Sequence, residues 1–141
     1  MVKLLALFSL LVIGCSNEQL RPRVDRDAVI ALEARGEIAS LEGAIKIWED
    51  AGIRFERCAA GISVRVDTSL DPDLLGEYHW TSLGPTEVVI RFDDPTVLAH
   101  ELGHVLGLEH LADEDVGLMS WTPLADELTA ADYVEFERSS R

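Results

Sequence analysis

Histidine, cysteine and basic residues are all scarce in this chain, and each shortage limits what the protein does. Only 12 lysines and arginines stand against 26 aspartates and glutamates, which gives a formal net charge of −14 over 141 residues. Proteins that bind nucleic acid or an anionic membrane surface need a basic patch, so this balance argues against both partners. The chain also lacks internal repeats and low-complexity segments, and its length is that of one ordinary domain.

The longest hydrophobic run is too short to cross a membrane. It extends over ten residues from Leu4 to Ile13, is interrupted only by Ser9, and follows the basic residue Lys3. Ten residues of helix span about 15 Å, which is half of the roughly 30 Å hydrocarbon core of a bilayer. A basic start, a short apolar run and small residues at its end are typical of a secretory signal peptide, which we predict for residues 1–14.

The signal peptide ends in LVIGC, which resembles the lipobox of bacterial lipoproteins. That resemblance implies cleavage before Cys15 and lipidation of this cysteine, which would anchor the protein to a membrane of the cell envelope. Ser16 is not the aspartate associated with inner-membrane retention, so the outer membrane is favoured. An ordinary signal peptide followed by secretion is the alternative. We predict a polar tether over residues 15–24 and a domain over residues 25–141.

Cysteine is limited to two residues. Lipidation of Cys15 would leave Cys58 without a partner in an oxidising compartment. A lone cysteine there is a small buried hydrophobe, a reactive thiol or half of an intermolecular bridge. We expect Cys58 to be buried.

From Asp25 onward the pattern of apolar residues predicts a helix. Apolar residues recur at three- and four-residue spacing as one stripe, at Ile38, Leu41, Ile45 and Trp48. Gly52 is placed to end this helix, while Gly36 and Gly43 could divide it into two.

Alternation of apolar and polar side chains follows, which is typical of half-buried strands. Three runs show it, with one face formed by Ile53 and Phe55, by Ile62, Val64 and Val66, and by Val88, Ile90 and Phe92. The intervening residues 67–86 contain prolines and glycines, and we predict a loop with one short edge strand there.

Two further helices have clear start signals. In DDPTVLAHELGHVLG, Asp94 can cap the helix, and Pro95 suits its first position, where a missing N–H has no intrahelical duty. Near the C-terminus, Thr129 and Asp132 resemble a capping box that opens a last helix. The predicted order is helix, strands, helix, long loop and helix, which makes this an α+β domain.

Three of the four histidines fall in HELGHVLGLEH, residues 100–110. His100 and His104 are four residues apart, so on a helix their imidazoles lie on one face, one turn from each other. Gly107 can adopt the left-handed conformation that ends a helix, so that His110 returns to the same point. Zinc accepts such nitrogen ligands, and three histidines leave the fourth position of a tetrahedral site for water, as in catalytic zinc sites.

Glu101 follows the first of these histidines and is not needed to hold a metal. A carboxylate there can take a proton from zinc-bound water and pass it to a leaving amine. The residues therefore predict metal-assisted amide hydrolysis with one catalytic zinc ion. Two other interpretations stay open: a zinc-binding envelope lipoprotein without turnover, and a structural envelope lipoprotein without metal.

The pattern HExxHxxGxxH is the signature of the metzincin metalloproteases, and here the chain resembles the matrixin-like members of that family. Met119, in GLMSW nine residues after His110, resembles the family's Met-turn, a methionine beneath the metal. The next residues, Ser120 and Trp121, differ from the family's usual set, so the wall of the substrate pocket there is not predicted. Looser similarity covers most of residues 44–136, through AIKIWEDAGIRFE and LTAADYVEF.

The resemblance implies a fold, a site and a protein or peptide substrate. The fold would be a zincin domain with a twisted mixed β-sheet, an active-site helix, a Met-turn and a C-terminal helix, and a cleft beside the metal would take an extended peptide. The implied zinc ligands are His100, His104 and His110. Glu101 would be the general base and acid, and Met119 would support the site.

The remaining histidine and the acidic residues are assigned no catalytic role. His79, in GEYHWTS, has no metal-ligand spacing, and packing in a loop or edge strand is expected. Five aspartates could bind calcium through their carboxylates, although a solvated acidic face is the favoured interpretation. They are Asp67, Asp71, Asp73, Asp93 and Asp94. We expect a monomer.

Overall fold

The structure is a computed structural model that describes residues 25–123 and 125–141. The predicted signal peptide, the tether and the lipidation site Cys15 lie outside the described residues, so they stay predictions. Within the described ranges, none of the helices has both the length and the apolar character needed to cross a bilayer.

The described residues form an α+β fold with one mixed sheet. Its elements are β1 (Val29–Ala34), α1 (Leu41–Glu49), β2 (Arg54–Arg57), β3 (Ile62–Val66), β4 (Gly76–Thr81), β5 (Gly84–Ile90), α2 (Pro95–Val105) and α3 (Ala130–Ser139). The strand order is β2-β1-β3-β5-β4. Neighbouring strands are parallel except for β4, which runs antiparallel to β5 at one edge. The predicted class and the C-terminal helix are confirmed.

The first element corrects the prediction of helix from Asp25. Residues 29–34 form a strand, and the helix that carries the apolar stripe begins only at Leu41. β1 is an interior strand that pairs with β2 on one side and β3 on the other, and its alternating residues Ile30 and Leu32 are buried. Gly36 does not divide a helix; it turns the chain between β1 and α1 with a φ of 96°.

Two further expectations about burial are wrong. β5 ends at Ile90, so Phe92 does not share its buried face and is 53% exposed. Cys58 is exposed, not buried. It lies directly after the end of β2, next to Arg57, which is exposed as well.

The predicted helix starts and edge strand are confirmed. The Asp94 carboxylate accepts hydrogen bonds from two backbone N–H groups in the first turn of α2, and Pro95 is the first helical residue. Thr129 and Asp132 form a reciprocal capping box at the start of α3. Between residues 67 and 86, β4 is the short edge strand that the sequence predicted, and β5 begins at Gly84.

The core lies between the sheet and the helices and fixes the position of α2. Residues 98–105 of α2 are all buried, against α1 on one side and β4 and β5 on the other. The indole of Trp48 on α1 is fully buried and donates a hydrogen bond of 2.8 Å to the Ala99 carbonyl. Its ring also packs against Phe136 of α3, with 6.3 Å between ring centroids. α2 is therefore held on several sides, which makes it a rigid base for functional side chains.

Candidate metal centre

Three histidine side chains converge at the C-terminal end of α2. Their Nε2 atoms lie 3.1 Å apart between His100 and His104, 3.2 Å between His100 and His110, and 3.3 Å between His104 and His110. A tetrahedral zinc ion with metal–nitrogen distances of 2.0–2.1 Å needs its ligand nitrogens about 3.3–3.4 Å apart. The triangle fits such an ion closely. In the described part of the chain, this is the one group of three or more side chains that could hold a metal ion.

The end of α2 brings the third histidine to the other two. Gly107 has a φ of 86°, and the Leu108 N–H donates to the Gly103 carbonyl at 3.0 Å. This is the hydrogen bond of a Schellman motif, in which a left-handed residue ends the helix. The chain then reverses, and His110 faces His100 and His104 as the spacing predicts.

Backbone carbonyls fix the tautomer of two of these imidazoles. Nδ1 of His100 lies 2.7 Å from the Leu118 carbonyl oxygen, and Nδ1 of His104 lies 2.9 Å from the Leu108 carbonyl oxygen. A carbonyl oxygen only accepts hydrogen bonds, so each Nδ1 carries the hydrogen and donates it. The Nε2 lone pairs of the neutral rings then point to the common centre, which is the tautomer that a metal ligand requires.

Burial favours the neutral form of His100. Its side chain is almost completely buried, and this desolvation lowers its pKa, although the bond to Leu118 and the charge of Asp132 oppose the shift. A neutral imidazole binds metal, whereas an imidazolium does not. The metal-free site therefore already favours the neutral His100 ring that a cation needs as a ligand.

Glu101 is buried beside the histidines and is only 5% exposed. Burial raises the pKa of its carboxyl to about 8, and the negative charge of Glu77 on β4 adds to the rise. β4 approaches this carboxyl very closely, because a Cβ atom added at Gly76 would lie 2.7 Å from Oε1 of Glu101. The sequence pattern did not indicate that Gly76 belongs to the site.

Met119 packs beneath α2, at the turn between His100 and His104. It is fully buried, and a Cβ atom added at Gly103 would collide with its sulfur. The Met119 carbonyl accepts a hydrogen bond of 2.9 Å from the Leu111 N–H, which ties this turn to the segment that carries His110. The contact explains why glycine occupies position 103 on the buried side of the helix.

Asp132, which the sequence pattern assigned only to a helix cap, also supports the turn beneath the histidines. Asp132 is fully buried, and its two oxygens accept hydrogen bonds of 2.9 Å from the N–H groups of Leu118 and Met119. It also accepts from the N–H and hydroxyl of Thr129. Because the Leu118 carbonyl orients His100, Asp132 acts on that histidine through one residue. The capping box was the only sequence signal for this residue.

An open cleft of about 620 Å³ lies in front of the histidines. One wall is the start of β4, where Tyr78 stacks on His104 with 5.2 Å between ring centroids. The other wall follows Met119 and includes Trp121. Acidic side chains line the cleft at Asp73, Glu77, Glu101 and Glu109, and among the described residues none that lines it is lysine or arginine.

The remaining candidates from the sequence, His79 and the five aspartates, do not belong to the histidine cluster. His79 is on the edge strand β4, and its Nε2 lies 3.0 Å from a carboxylate oxygen of Glu77. Four of the five aspartates considered for calcium accept hydrogen bonds from nearby backbone N–H groups: Asp67, Asp71, Asp93 and Asp94. These aspartates shape turns and helix starts.

Comparison with known proteins adds no family assignment. No protein-family model matches the chain, and no curated protein matches it either. The functional assignment therefore depends on the chemistry of the site itself.

Proposed function

We propose that this protein is a zinc-dependent endopeptidase with a metzincin-like site. The observation that carries the proposal is the convergence of three Nε2 atoms, two of them in a tautomer set by backbone carbonyls, beside the buried carboxyl of Glu101. A site that only stores zinc needs the imidazoles but not this carboxyl. Glu101 therefore favours an enzyme over the alternative, a zinc-binding envelope lipoprotein without turnover.

The proposed roles follow from where the residues lie. His100, His104 and His110 would hold the ion. Zinc, when bound there, would act as a Lewis acid towards a carbonyl oxygen and lower the pKa of water. Glu101 would accept a proton from the attacking water on its carboxylate and deliver it to the leaving amine nitrogen as the peptide C–N bond breaks. Burial, together with the charge of Glu77, raises the Glu101 pKa to about 8, and a neighbouring cation would lower it, which favours the carboxylate form that accepts the proton.

The edge strand offers a place for an extended substrate. β4 pairs with β5 on one side, and its start lines the cleft from Gly76 to Tyr78. A peptide can add to such an edge through main-chain hydrogen bonds, which would carry its backbone past the histidines. The acidic lining at Asp73, Glu77 and Glu109 favours substrates with basic side chains.

Substitution of Glu101 tests catalysis separately from metal binding. Glu101→Gln keeps the shape of the side chain but cannot accept the proton, so peptide cleavage should fall at least about a hundredfold, while zinc content stays unchanged. Glu114→Gln, at an exposed loop position outside the cleft, is the matched control and should behave as wild type. Zinc content and cleavage of a random peptide library are measured on the same preparations. Zinc-loaded wild-type protein that cleaves no peptide would favour the non-catalytic lipoprotein.

We also propose that residues 1–14 are a lipoprotein signal peptide and that Cys15 carries lipid. The support is LVIGC together with the short apolar run before it. The protein would then act at the cell envelope, with the outer membrane favoured, and its tethered domain would meet protein or peptide substrates there.

A further inference from the structure

We propose that Trp121 is a positioning residue for His110, the third histidine of the metal centre. The inference rests on the proposed metal site and adds a residue to it. The two rings stack nearly face to face, with 3.8 Å between centroids and 23° between planes. Trp121 is nevertheless 70% exposed, so core packing does not account for the placement of its large indole ring.

Hydrogen bonds hold the two backbone segments that carry these rings next to each other. His110 follows the end of α2, in a segment without regular secondary structure. Trp121 comes directly after residues 117–120, which are all buried. Hydrogen bonds hold that turn, because the Gly117 N–H donates to the Ser120 hydroxyl at 3.0 Å. The Leu111 N–H joins the two segments through its bond to the Met119 carbonyl.

The other two histidines are held by the helix and by backbone carbonyls, and Tyr78 also stacks on His104. His100 and His104 are fixed at their Cα atoms by α2 and at Nδ1 by backbone carbonyls. The indole of Trp121 covers the face of the His110 ring and thereby restricts its rotation about χ2. A bound cation draws electron density from the imidazole, and the electron-rich face of an indole favours such a ring. Stacking and metal binding should therefore strengthen each other.

Cobalt binding tests the inference without relying on catalysis. Cobalt(II) replaces zinc in nitrogen-ligand sites, and its visible absorption reports the geometry of its ligands. Trp121→Ala should weaken cobalt and zinc affinity roughly two- to tenfold, the scale of one aromatic pair, and should alter the cobalt spectrum. Trp121→Phe keeps an aromatic face and should restore most of both. Trp80→Ala, at a 42% exposed tryptophan that is not among the cleft residues, is the matched control.

The outcomes separate this inference from the proposed function. Because Trp121 is mostly exposed, Trp121→Ala should keep the melting temperature of the metal-free protein, so a weaker site would not reflect unfolding. Unchanged metal affinity and an unchanged cobalt spectrum in Trp121→Ala would overturn the positioning role while leaving the metal site intact. Failure of wild-type protein to bind either metal would overturn the proposed metal site, and this inference with it.

Discussion

Asp132→Asn should weaken both the fold and the metal centre, because this carboxylate joins α3 to the turn beneath the histidines. Its Oδ1 accepts from the Met119 N–H, and its Oδ2 accepts from Leu118 and Thr129. An asparagine amide has one acceptor oxygen. Whichever way the amide is turned, at least one buried N–H then faces an NH₂ group instead of an oxygen.

The expected magnitude follows from these contacts. A buried donor without its acceptor costs about 1–3 kcal/mol, and the remaining bonds lose the assistance of a full charge. We therefore expect the free energy of unfolding to fall by about 2–4 kcal/mol, which is a lowering of the melting temperature by roughly 8–15 °C for a domain of this size. Release of the Leu118 carbonyl should also misorient His100 and lower zinc affinity about 10- to 100-fold, as loss of other outer-shell partners does.

Thermal and chemical unfolding of the metal-free protein measures the first effect, and chelator competition measures the second. Thr129→Ala is an informative comparison, because it removes a cap worth about 0.5–2 kcal/mol but leaves the acceptors of the Leu118 and Met119 N–H groups in place. Asp113→Asn, at an exposed loop position, is the control for the loss of one negative charge. An Asp132→Asn variant that melts and binds zinc as wild type does would refute the reasoning.

Three further perturbations test other parts of the account. Gly76→Ala should lower peptide cleavage while zinc stays bound, because the added methyl group would lie 2.7 Å from Glu101 Oε1; unchanged turnover would contradict this close approach. The Glu101 contribution to the stability of metal-free protein should be lost as pH rises from about 4.5 towards 8, since burial raises the pKa of folded Glu101 to about 8. Calorimetry should therefore show a larger melting-temperature advantage of Glu101→Gln over wild type at pH 8 than at pH 5. An equal advantage at both pH values would contradict a raised pKa of Glu101. Cys15→Ser should abolish labelling by fatty acid, and equal labelling of variant and wild type would rule out the lipobox.

Features set by neighbouring residues could be predicted from the sequence. The capping of α2 by Asp94 and of α3 by Thr129 depends on contacts within one helical turn. The convergence of the histidines depends on a four-residue spacing and on the left-handed Gly107, both of which are local. The existence of these elements and the convergence of the three histidines therefore followed from short patterns.

Features set by contacts between distant segments could not be predicted in the same way. VIALEA contains good helix formers, and it is a strand because β2 and β3 pair with it on both sides. The approach of Gly76 to Glu101 likewise depends on how β4 lies against α2. The second role of Asp132 and the stacking of Trp121 both depend on where the turn at residues 117–120 meets other segments. None of these contacts has a periodic sequence signal.

The zinc content of the purified domain, measured together with its melting temperature, tests the central claim most directly. We expect purified protein of residues 16–141 to carry about one zinc ion per chain, and a chelator should remove it and lower the melting temperature. A ligand that binds only the folded state at a thousand times its Kd adds about 4 kcal/mol of stability, so the shift should be readily measurable. His110→Ala should reduce zinc affinity while α2 still forms. Protein that retains no zinc, and that gains no thermal stability when zinc is added, would contradict the account.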